Sequence, residues 1–337
     1  MTTLPTGRLD AAVPVPRNLA STNTGVDRIF AQIARATGAS VLVITGSIGI
    51  FLAYQSVPTL QHYGLSFFTE TAWSPESDTL GIAAVLLGTF VVAAVALTFA
   101  FPLSLACAIY ISEFAGPKMK GILTSAVDLM AAVPSIVYGL WGFFLIQPHA
   151  SAFALFLHKH FGWIPIFQVK GSDPNAAVWD QSRYTASAFC AGLAVAMMVL
   201  PMACAVMRQV FSQAPLGEKE AALALGATRW GMIRSVVLPF GRGGIIGGTM
   251  LGLGRALGET IAVLLILSPE FVFKVRPLEI GSNTVSSLIA GRFGEATDSQ
   301  LSALLTAGFV LFMITLVINT LAAIVVSRSR SGAGTDA

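Results

Sequence analysis

Six long apolar stretches run through this 337-residue chain. A helix needs about 20 predominantly apolar residues to span a membrane, and each stretch meets that length. Pro102 and a further apolar run to Ile111 predict that the second helix is kinked or continues as a shorter one. The sequence therefore predicts an all-α polytopic membrane protein with about six transmembrane helices, at residues 38–57, 80–101, 122–146, 184–207, 243–267 and 301–326.

The composition agrees with this fold class. Charged residues make up 11% of the chain and hydrophobic residues 55%, whereas a soluble domain carries about 25% charged residues. The Lys and Arg residues are scattered, which excludes the basic patch of a nucleic-acid-binding protein. The three cysteines lie singly in apolar stretches, as expected of buried or lipid-facing thiols rather than of a disulfide or a metal site.

The positions of Lys and Arg predict the orientation, because these residues concentrate in cytoplasmic segments. Most of the 20 basic residues lie in the N-terminal tail, the second and fourth loops and the C-terminal tail. The first loop, residues 56–79, has acidic residues and no Lys or Arg. Both termini are therefore predicted to be cytoplasmic.

Three regions follow: a tail at residues 1–36, a transmembrane domain at residues 37–327 and a C-terminal tail at residues 328–337. Residues 1–24 are rich in Thr, Pro and Asn and are predicted to be disordered. The next residues repeat apolar side chains at helical spacing, as in a helix at the membrane interface. A continuation of the first transmembrane helix explains the same pattern. The repeat consists of Val26, Ile29, Phe30 and Ile33.

The fourth loop, residues 212–240, has the most informative pattern. Alanine and leucine favour a helix before Gly226, and the glycine permits the turn that ends it. Pro239 ends a second short helix before the fifth span. Small side chains on this loop leave a shallow surface that another protein can approach, which predicts a docking element. Its spaced residues are Glu220, Ala221, Ala222, Gly226, Val236, Leu238 and Pro239.

The fifth predicted span combines regularly spaced glycines with two ionisable residues. Its glycines let a neighbouring helix approach closely. Arg255 and Glu259 lie one helical turn apart deep in the span, where ionisable groups face a bundle interior or a water-filled path. Two interpretations remain open: a structural ion pair, and a pair that lines a polar route for an anion. The glycines are Gly244, Gly248, Gly252, Gly254 and Gly258.

Other polar side chains in the spans are further candidates. We expect Asp128 to hydrogen-bond the broken backbone near Pro134 or to cap a neighbouring helix, with a transport role as the alternative. Ser135 and Tyr138 offer hydroxyl groups to an oxyanion, although such residues commonly pair with another helix. Asn319 is expected to hydrogen-bond between helices.

The spacing in the fourth loop resembles the EAA loop of the permease subunits of bacterial ABC importers. Val236 replaces the isoleucine of that pattern, which is a conservative change. The runs at residues 108–114, 133–140 and 218–265 resemble PstC-type permeases of high-affinity phosphate importers. The resemblance covers roughly residues 40–327.

This resemblance implies a type I (MetI-like) permease in the bacterial inner membrane that moves phosphate by alternating access. It implies a PstA-like sister permease, two copies of a PstB-like ATP-binding subunit and a PstS-like external phosphate-binding protein. In that family the loop seats in the ATPase, which assigns coupling to Glu220, Ala221, Ala222, Gly226, Leu238 and Pro239. The candidates for the phosphate pathway are Arg255, Glu259, Ser135 and Tyr138.

The chain has no GxxxxGK[ST] motif, so we expect it not to be an enzyme. We expect it to bind no cofactor of its own, with ATP and Mg held by the partner ATPase. Alternative functions are a permease for sulfate or molybdate and a self-sufficient secondary anion transporter. The docking loop argues against the secondary transporter, because such a carrier needs no surface for an ATPase.

Residues 148–183 are predicted to form a long external loop. It is expected to fold against the outer face, where the binding protein would dock, or to form an aromatic belt at the membrane interface. His158 and His160 lie in this loop, but without a nearby carboxylate or thiol they predict no metal site. Its large apolar residues are Phe161, Trp163, Ile164, Ile166, Phe167 and Trp179.

Overall fold

A computed structural model describes residues 25–176 and 180–329 of the chain. The predicted disordered tail, Trp179 and most of the C-terminal tail lie outside these ranges. The described part is mainly helical, with one short antiparallel hairpin, β1 (Trp73–Ser74) and β2 (Thr79–Leu80). Its helices are α1 (Gly25–Tyr63), α2 (Ser66–Thr69), α3 (Ala83–Ile109), α4 (Pro117–Ala132), α5 (Ser135–Trp141), α6 (Gln147–Phe161), α7 (Ala188–Phe211), α8 (Leu216–Ala224), α9 (Arg229–Met232), α10 (Leu238–Phe240), α11 (Arg242–Gly258), α12 (Ile261–Ile266), α13 (Val285–Arg292) and α14 (Asp298–Ser329).

Three π-helical turns join some of these helices into longer runs. They are Tyr110–Phe114 after α3, Gly142–Ile146 between α5 and α6, and Ile233–Val237 between α9 and α10. Within the described ranges, five runs are long and apolar enough to cross a membrane, and a sixth is bent by 68° between Phe240 and Arg242. The prediction of an all-α protein with about six transmembrane helices is confirmed.

The third predicted span, residues 122–146, is placed wrongly. The chain is extended at Val133, because a residue before proline is disfavoured in the α conformation. A new helix then runs from Ser135 to Phe161. The predicted loop at 148–183 therefore begins only after Phe161, and the histidines at 149, 158 and 160 lie on α6.

The other span boundaries also differ from the prediction. α3 passes through Pro102 to Ile109 as one helix, so the apolar run after Pro102 does not form the separate shorter helix that was one of the two expected outcomes. The fifth span stops at Gly258 and resumes at Ile261. α1 begins at Gly25, so the apolar repeat near the N-terminus continues the first helix and forms no separate interfacial helix.

The chain divides into two compact units, Met1–Ile48 and Gly49–Ala337. The described part of the first unit is a single helical segment whose side chains are almost all exposed. α7 is the central helix of the second unit and packs against α3, α4 and α11. In the most apolar stretch of α7, 67% of the residues are buried, whereas in the corresponding stretch of α14 only 6% are. Small residues permit this close packing: Ala188, Cys190, Ala191, Gly192, Ala194, Ala196, Ala203 and Cys204.

The α11 glycines fall into two groups. Gly244, Gly248 and Gly252 face α7, where an added methyl group would lie within 3.0 Å of α7 atoms. This confirms the predicted close helix approach. Gly254 and Gly258 instead line a cavity on the opposite side of the helix.

The packing of α11 against α7 predicts a contrast between two alanine substitutions. A Cβ at Gly252 would lie 2.6 Å from Val199 Cγ1, so Gly252→Ala should destabilise the chain by about 1–3 kcal/mol. Gly247 is on the same helix with nothing within 4 Å of an added Cβ. Gly247→Ala should be neutral or stabilising, because alanine favours helix by about 1 kcal/mol over glycine. Melting temperatures of the detergent-solubilised variants test this, and equal values would contradict it.

Candidate functional site

The fourth loop presents an exposed surface made by α8 and α9. Glu220 and Ala221 are exposed, and Leu225 is 90% exposed. Exposed apolar side chains on a loop outside the spans are unusual unless another molecule covers them. We call this the loop surface and define it by Leu216, Glu220, Ala221, Leu223, Leu225 and Trp230.

The turn after α8 has the geometry that the sequence predicts. Gly226 has φ +87°, a conformation that disfavours residues with a side chain. Its N–H donates to the Leu223 carbonyl (3.0 Å), and the Ala227 N–H donates to the Ala222 carbonyl (3.1 Å). These two bonds form a Schellman motif, which ends α8 and redirects the chain. The glycine is needed for its conformation rather than for close packing, because nothing lies within 4 Å of an added Cβ.

The second half of the loop is anchored in the interior. Met232, Ile233 and Val237 are buried in a cluster with Met207 and Phe211 of α7. Leu238 is partly buried against this cluster, and Pro239 is exposed. Buried side chains in the second half of the loop thus connect the loop surface to the packed interior of the spans.

A cavity of about 600 Å³ lies beside α11 and α14 within the second unit. Arg255 lines it, together with the polar side chains of Thr315 and Asn319. Gly254 and Gly258 remove side-chain bulk from the same wall. An arginine and two neutral polar groups in a mostly apolar cavity suit an anion, because arginine offers several charged donors in a fixed geometry. Asn319 was expected to join helices, and its place in this wall was not predicted.

The predicted ion pair between Arg255 and Glu259 is absent from the described residues. α11 ends at Gly258, and the backbone of Glu259 is extended. The Glu259 carboxylate is buried and accepts a hydrogen bond from the Ala262 N–H at 3.2 Å, at the start of α12. The helical spacing that would place the two charges together is therefore lost. Arg255 is exposed toward the cavity, and Glu259 is not among its lining residues.

The Tyr138 hydroxyl makes the hydrogen bond to the broken backbone that was expected of Asp128. This hydroxyl donates to the Met130 carbonyl at 2.7 Å, across the helix break before α5. Tyr138 is also close enough to Arg255 for an electrostatic interaction. Ser135 is half-buried at the first position of α5 and is not a lining residue of the Arg255 cavity.

Two ion pairs near the fourth loop were missed from the sequence. Asp128 on α4 pairs with Arg208 on α7 at 3.2 Å, and within the described ranges it makes no hydrogen bond to the broken backbone or to a helix end. Lys219 on α8 pairs with Glu113, in the π-helical turn after α3, at 2.8 Å. Both pairs join residues distant in the chain, so no local pattern reveals them.

On the predicted external side, the segment after α6 packs against the residues before α13. The Arg276 guanidinium donates from Nε to the Pro165 carbonyl (3.1 Å) and from Nη2 to Gln168 Oε1 (3.4 Å). A cavity of about 740 Å³ lies between these segments. Trp163 is 78% exposed, so the aromatic residues of this segment are only partly covered.

A buried hydroxyl fixes the end of α6 to this external segment. The Tyr184 hydroxyl lies 2.8 Å from His158 Nδ1 and 2.9 Å from Ser172 Oγ. Burial raises the pKa of Tyr184 above its ordinary value, so the phenol remains protonated at neutral pH. His158 is therefore engaged in a structural network.

Comparisons with known proteins identify relatives over almost the whole chain. Residues 100–331 match the family model described as "Binding-protein-dependent transport system inner membrane component". The phosphate transport system permease protein PstC 2 of Mycobacterium tuberculosis is 36% identical over 300 residues, covering 88% of this chain and 90% of that protein. The PstC protein of Xylella fastidiosa (strain 9a5c) is 36% identical over 303 residues, covering 90% and 91%. That of Haemophilus influenzae is 34% identical over 311 residues, covering 92% and 96%.

Solved structures support the fold. A bacterial alginate ABC transporter, crystallised with an alginate-bound periplasmic protein, has a chain that superposes with a TM-score of 0.57. The match is 16% identical and covers 88% of this chain and 93% of that one. A second alginate importer structure gives a TM-score of 0.52 at 17% identity, covering 89% and 99%. The sequence relatives and the family model together show that the chain belongs to the binding-protein-dependent transport system inner membrane components, and within them to the PstC permeases.

Proposed function

We propose that this chain is the transmembrane permease subunit of an ATP-driven importer of inorganic phosphate in the bacterial inner membrane. The loop surface is the structural observation that carries the proposal. A permease without a nucleotide-binding motif needs a surface through which an ATPase can move it, and the exposed α8–Gly226–α9 segment meets that need. The substrate assignment is supported by the names of the relatives, which are phosphate transport permeases.

In this proposal the loop surface seats in a groove of a PstB-like ATPase, which binds ATP and Mg. Glu220 and Ala221 are exposed where the ATPase would lie, and Gly226 sets the angle between α8 and α9. Leu238 and Pro239 connect the loop to the fifth span. Closure of two ATPase copies would push α8 and rock the spans between inward-open and outward-open states.

Phosphate would pass the cavity that contains Arg255. The exposed guanidinium attracts the anion, and because no carboxylate of the described residues pairs with it, its donors are available for phosphate. We assign Glu259 to the start of α12 rather than to the arginine, because its carboxylate accepts from the Ala262 N–H. Tyr138 stabilises the helix break beside this path, with Ser135 as a neighbouring hydroxyl.

The remaining assembly follows from the same proposal. A PstA-like sister permease would complete the pathway, since the Arg255 cavity is open on one side of this chain. A PstS-like binding protein would deliver phosphate to the segments around the Arg276 network. Both termini would then lie in the cytoplasm, on the same side as the loop surface.

Energised uptake of labelled phosphate tests the proposal directly. Cells that lack the chain and the same cells with it restored are compared, with labelled sulfate as the control. We expect restored phosphate uptake that disappears on ATP depletion, with unchanged sulfate uptake. Uptake of sulfate instead of phosphate would refute the substrate, and uptake that follows an ion gradient after ATP depletion would refute the energy source.

A further inference from the structure

The ion pair between Lys219 and Glu113 is the most enclosed of those in the described residues. Lys219 Nζ lies 2.8 Å from Glu113 Oε1, and the two side chains are 14% and 7% exposed. Every other ion pair in these ranges includes at least one side chain that is more exposed than both Lys219 and Glu113. A buried charge pair is costly to desolvate and is a weak source of stability compared with apolar packing. Its enclosed position therefore calls for another explanation.

The pair joins the loop surface to a transmembrane helix. Lys219 directly precedes Glu220 on α8, and Glu113 is the second-to-last residue of the continuous helical run Ala83–Phe114. α8 has no fully buried residue, and only Lys219 and Ala222 are half-buried. Among the ion pairs of the described residues, this is the one that ties α8 to a span.

Each charge is unfavourable for its own helix. Glu113 lies in the last turn of its helical run, close to the negative end of the helix dipole. Lys219 is the fourth residue of α8, close to the positive end. Neither residue stabilises its own helix by position, and each is compensated by the other. This arrangement favours a role between the two helices over a role within either.

The span that carries Glu113 is well placed to pass motion on. It ends in a π-helical turn, a feature that is frequent at functional sites. α3 packs along the central helix α7, which in turn packs against α11, the helix that carries Arg255. Because α8 is held to this turn, a displacement of α8 would move α3 and, through α7, the helices around the cavity.

We propose that Lys219 and Glu113 are positioning residues that make α8 and the cytoplasmic end of α3 move as one body, so that ATPase motion reaches the pathway. This inference rests on the proposed function. The pair acts on coupling between ATP hydrolysis and uptake rather than on substrate binding or on hydrolysis itself.

The first test uses the assembled transporter in proteoliposomes and measures phosphate uptake per ATP hydrolysed. Lys219→Met and Glu113→Gln should each lower this ratio about tenfold while hydrolysis continues. The charge swap Lys219→Glu with Glu113→Lys should restore it to within about threefold of the wild type. The swap is a fair rescue, because it places each charge at the end of its helix that the dipole favours. Asp78→Asn weakens the exposed His62–Asp78 pair in the predicted first external loop and should leave the ratio unchanged.

A purely stabilising pair would behave differently. Uptake and hydrolysis would then fall together with the amount of assembled complex, and the ratio would stay at the wild-type value. That outcome, or a swap no better than the single variants, would overturn the inference. Wild-type complex without ATP-dependent phosphate uptake would refute the proposed function instead, so the two failures are distinguishable.

A second test does not depend on the substrate. Spin labels at Tyr110 and Ala224, both exposed, report the distance between the end of α3 and α8. The assembled complex is used with the three native cysteines replaced by alanine. We expect a narrow distance distribution that broadens with Lys219→Met and narrows again in the charge swap. An equally narrow distribution in Lys219→Met would show that the pair does not hold the two helices together.

Discussion

Arg255→Ala is expected to reduce phosphate uptake by about 30- to 100-fold, the equivalent of losing about 2–3 kcal/mol of charge-assisted hydrogen bonding to the passing anion. The arginine is exposed to the cavity beside α14 and pairs with no carboxylate in the described residues. Its removal should therefore leave the packing of α11 against α7 intact. Initial rates of labelled phosphate uptake, normalised to the amount of chain in the membrane, measure the effect.

Two variants make this prediction specific. Lys118→Ala removes an exposed cation from α4, away from the cavity, and should retain normal uptake. Arg255→Lys keeps the charge but loses the planar donor pair, so an intermediate rate is expected. Equal uptake in Arg255→Ala and Lys118→Ala would show that Arg255 has a structural role only.

Gly226→Val should uncouple ATP hydrolysis from uptake. At φ +87° a residue with a side chain is strained, by about 1–2 kcal/mol in the left-handed region and more when β-branched. Relief of this strain would open the Schellman turn and change the angle between α8 and α9. We expect at least about tenfold less phosphate moved per ATP, since 1.4 kcal/mol corresponds to a factor of ten. The ratio of uptake to hydrolysis in proteoliposomes measures it.

Matched substitutions separate conformation from bulk. Gly226→Asn should retain more coupling than Gly226→Val, because asparagine tolerates the left-handed conformation better. Gly217→Ala, also on α8 with nothing within 4 Å, should be close to the wild type. Normal coupled uptake in Gly226→Val would refute the assignment of this turn to the docking surface.

The two large effects should differ in kind. Arg255→Ala acts on the anion, so in the proposed assembly the ATPase should still move the spans through an intact loop. Gly226→Val acts on the loop, so the cavity should still admit phosphate while hydrolysis proceeds without transport. Measuring hydrolysis and uptake together distinguishes a damaged pathway from a damaged coupling surface.

Features that depend on local chemistry could be predicted from the residues alone. Hydropathy over about 20 residues indicates a spanning helix wherever it lies in the chain, and about six such runs are present. The turn that ends α8 at Gly226 could be predicted because the residues that determine it, the helix formers of α8 and the glycine that permits a positive φ, are neighbours in the sequence. The close approach of Gly244, Gly248 and Gly252 to a neighbouring helix likewise follows from their spacing.

Two helix breaks and the contacts between distant parts of the chain were not predicted. The third span was misplaced because α6 carries polar residues that hide its length, while the apolar residues of α4 lie before the break at Val133. Arg255 and Glu259 were paired by helical spacing, yet α11 ends between them and Glu259 bonds to α12 instead. Lys219 meets Glu113 across 106 residues. This last contact arises from how helices pack in three dimensions, and hydropathy and spacing along one segment hold no information about it.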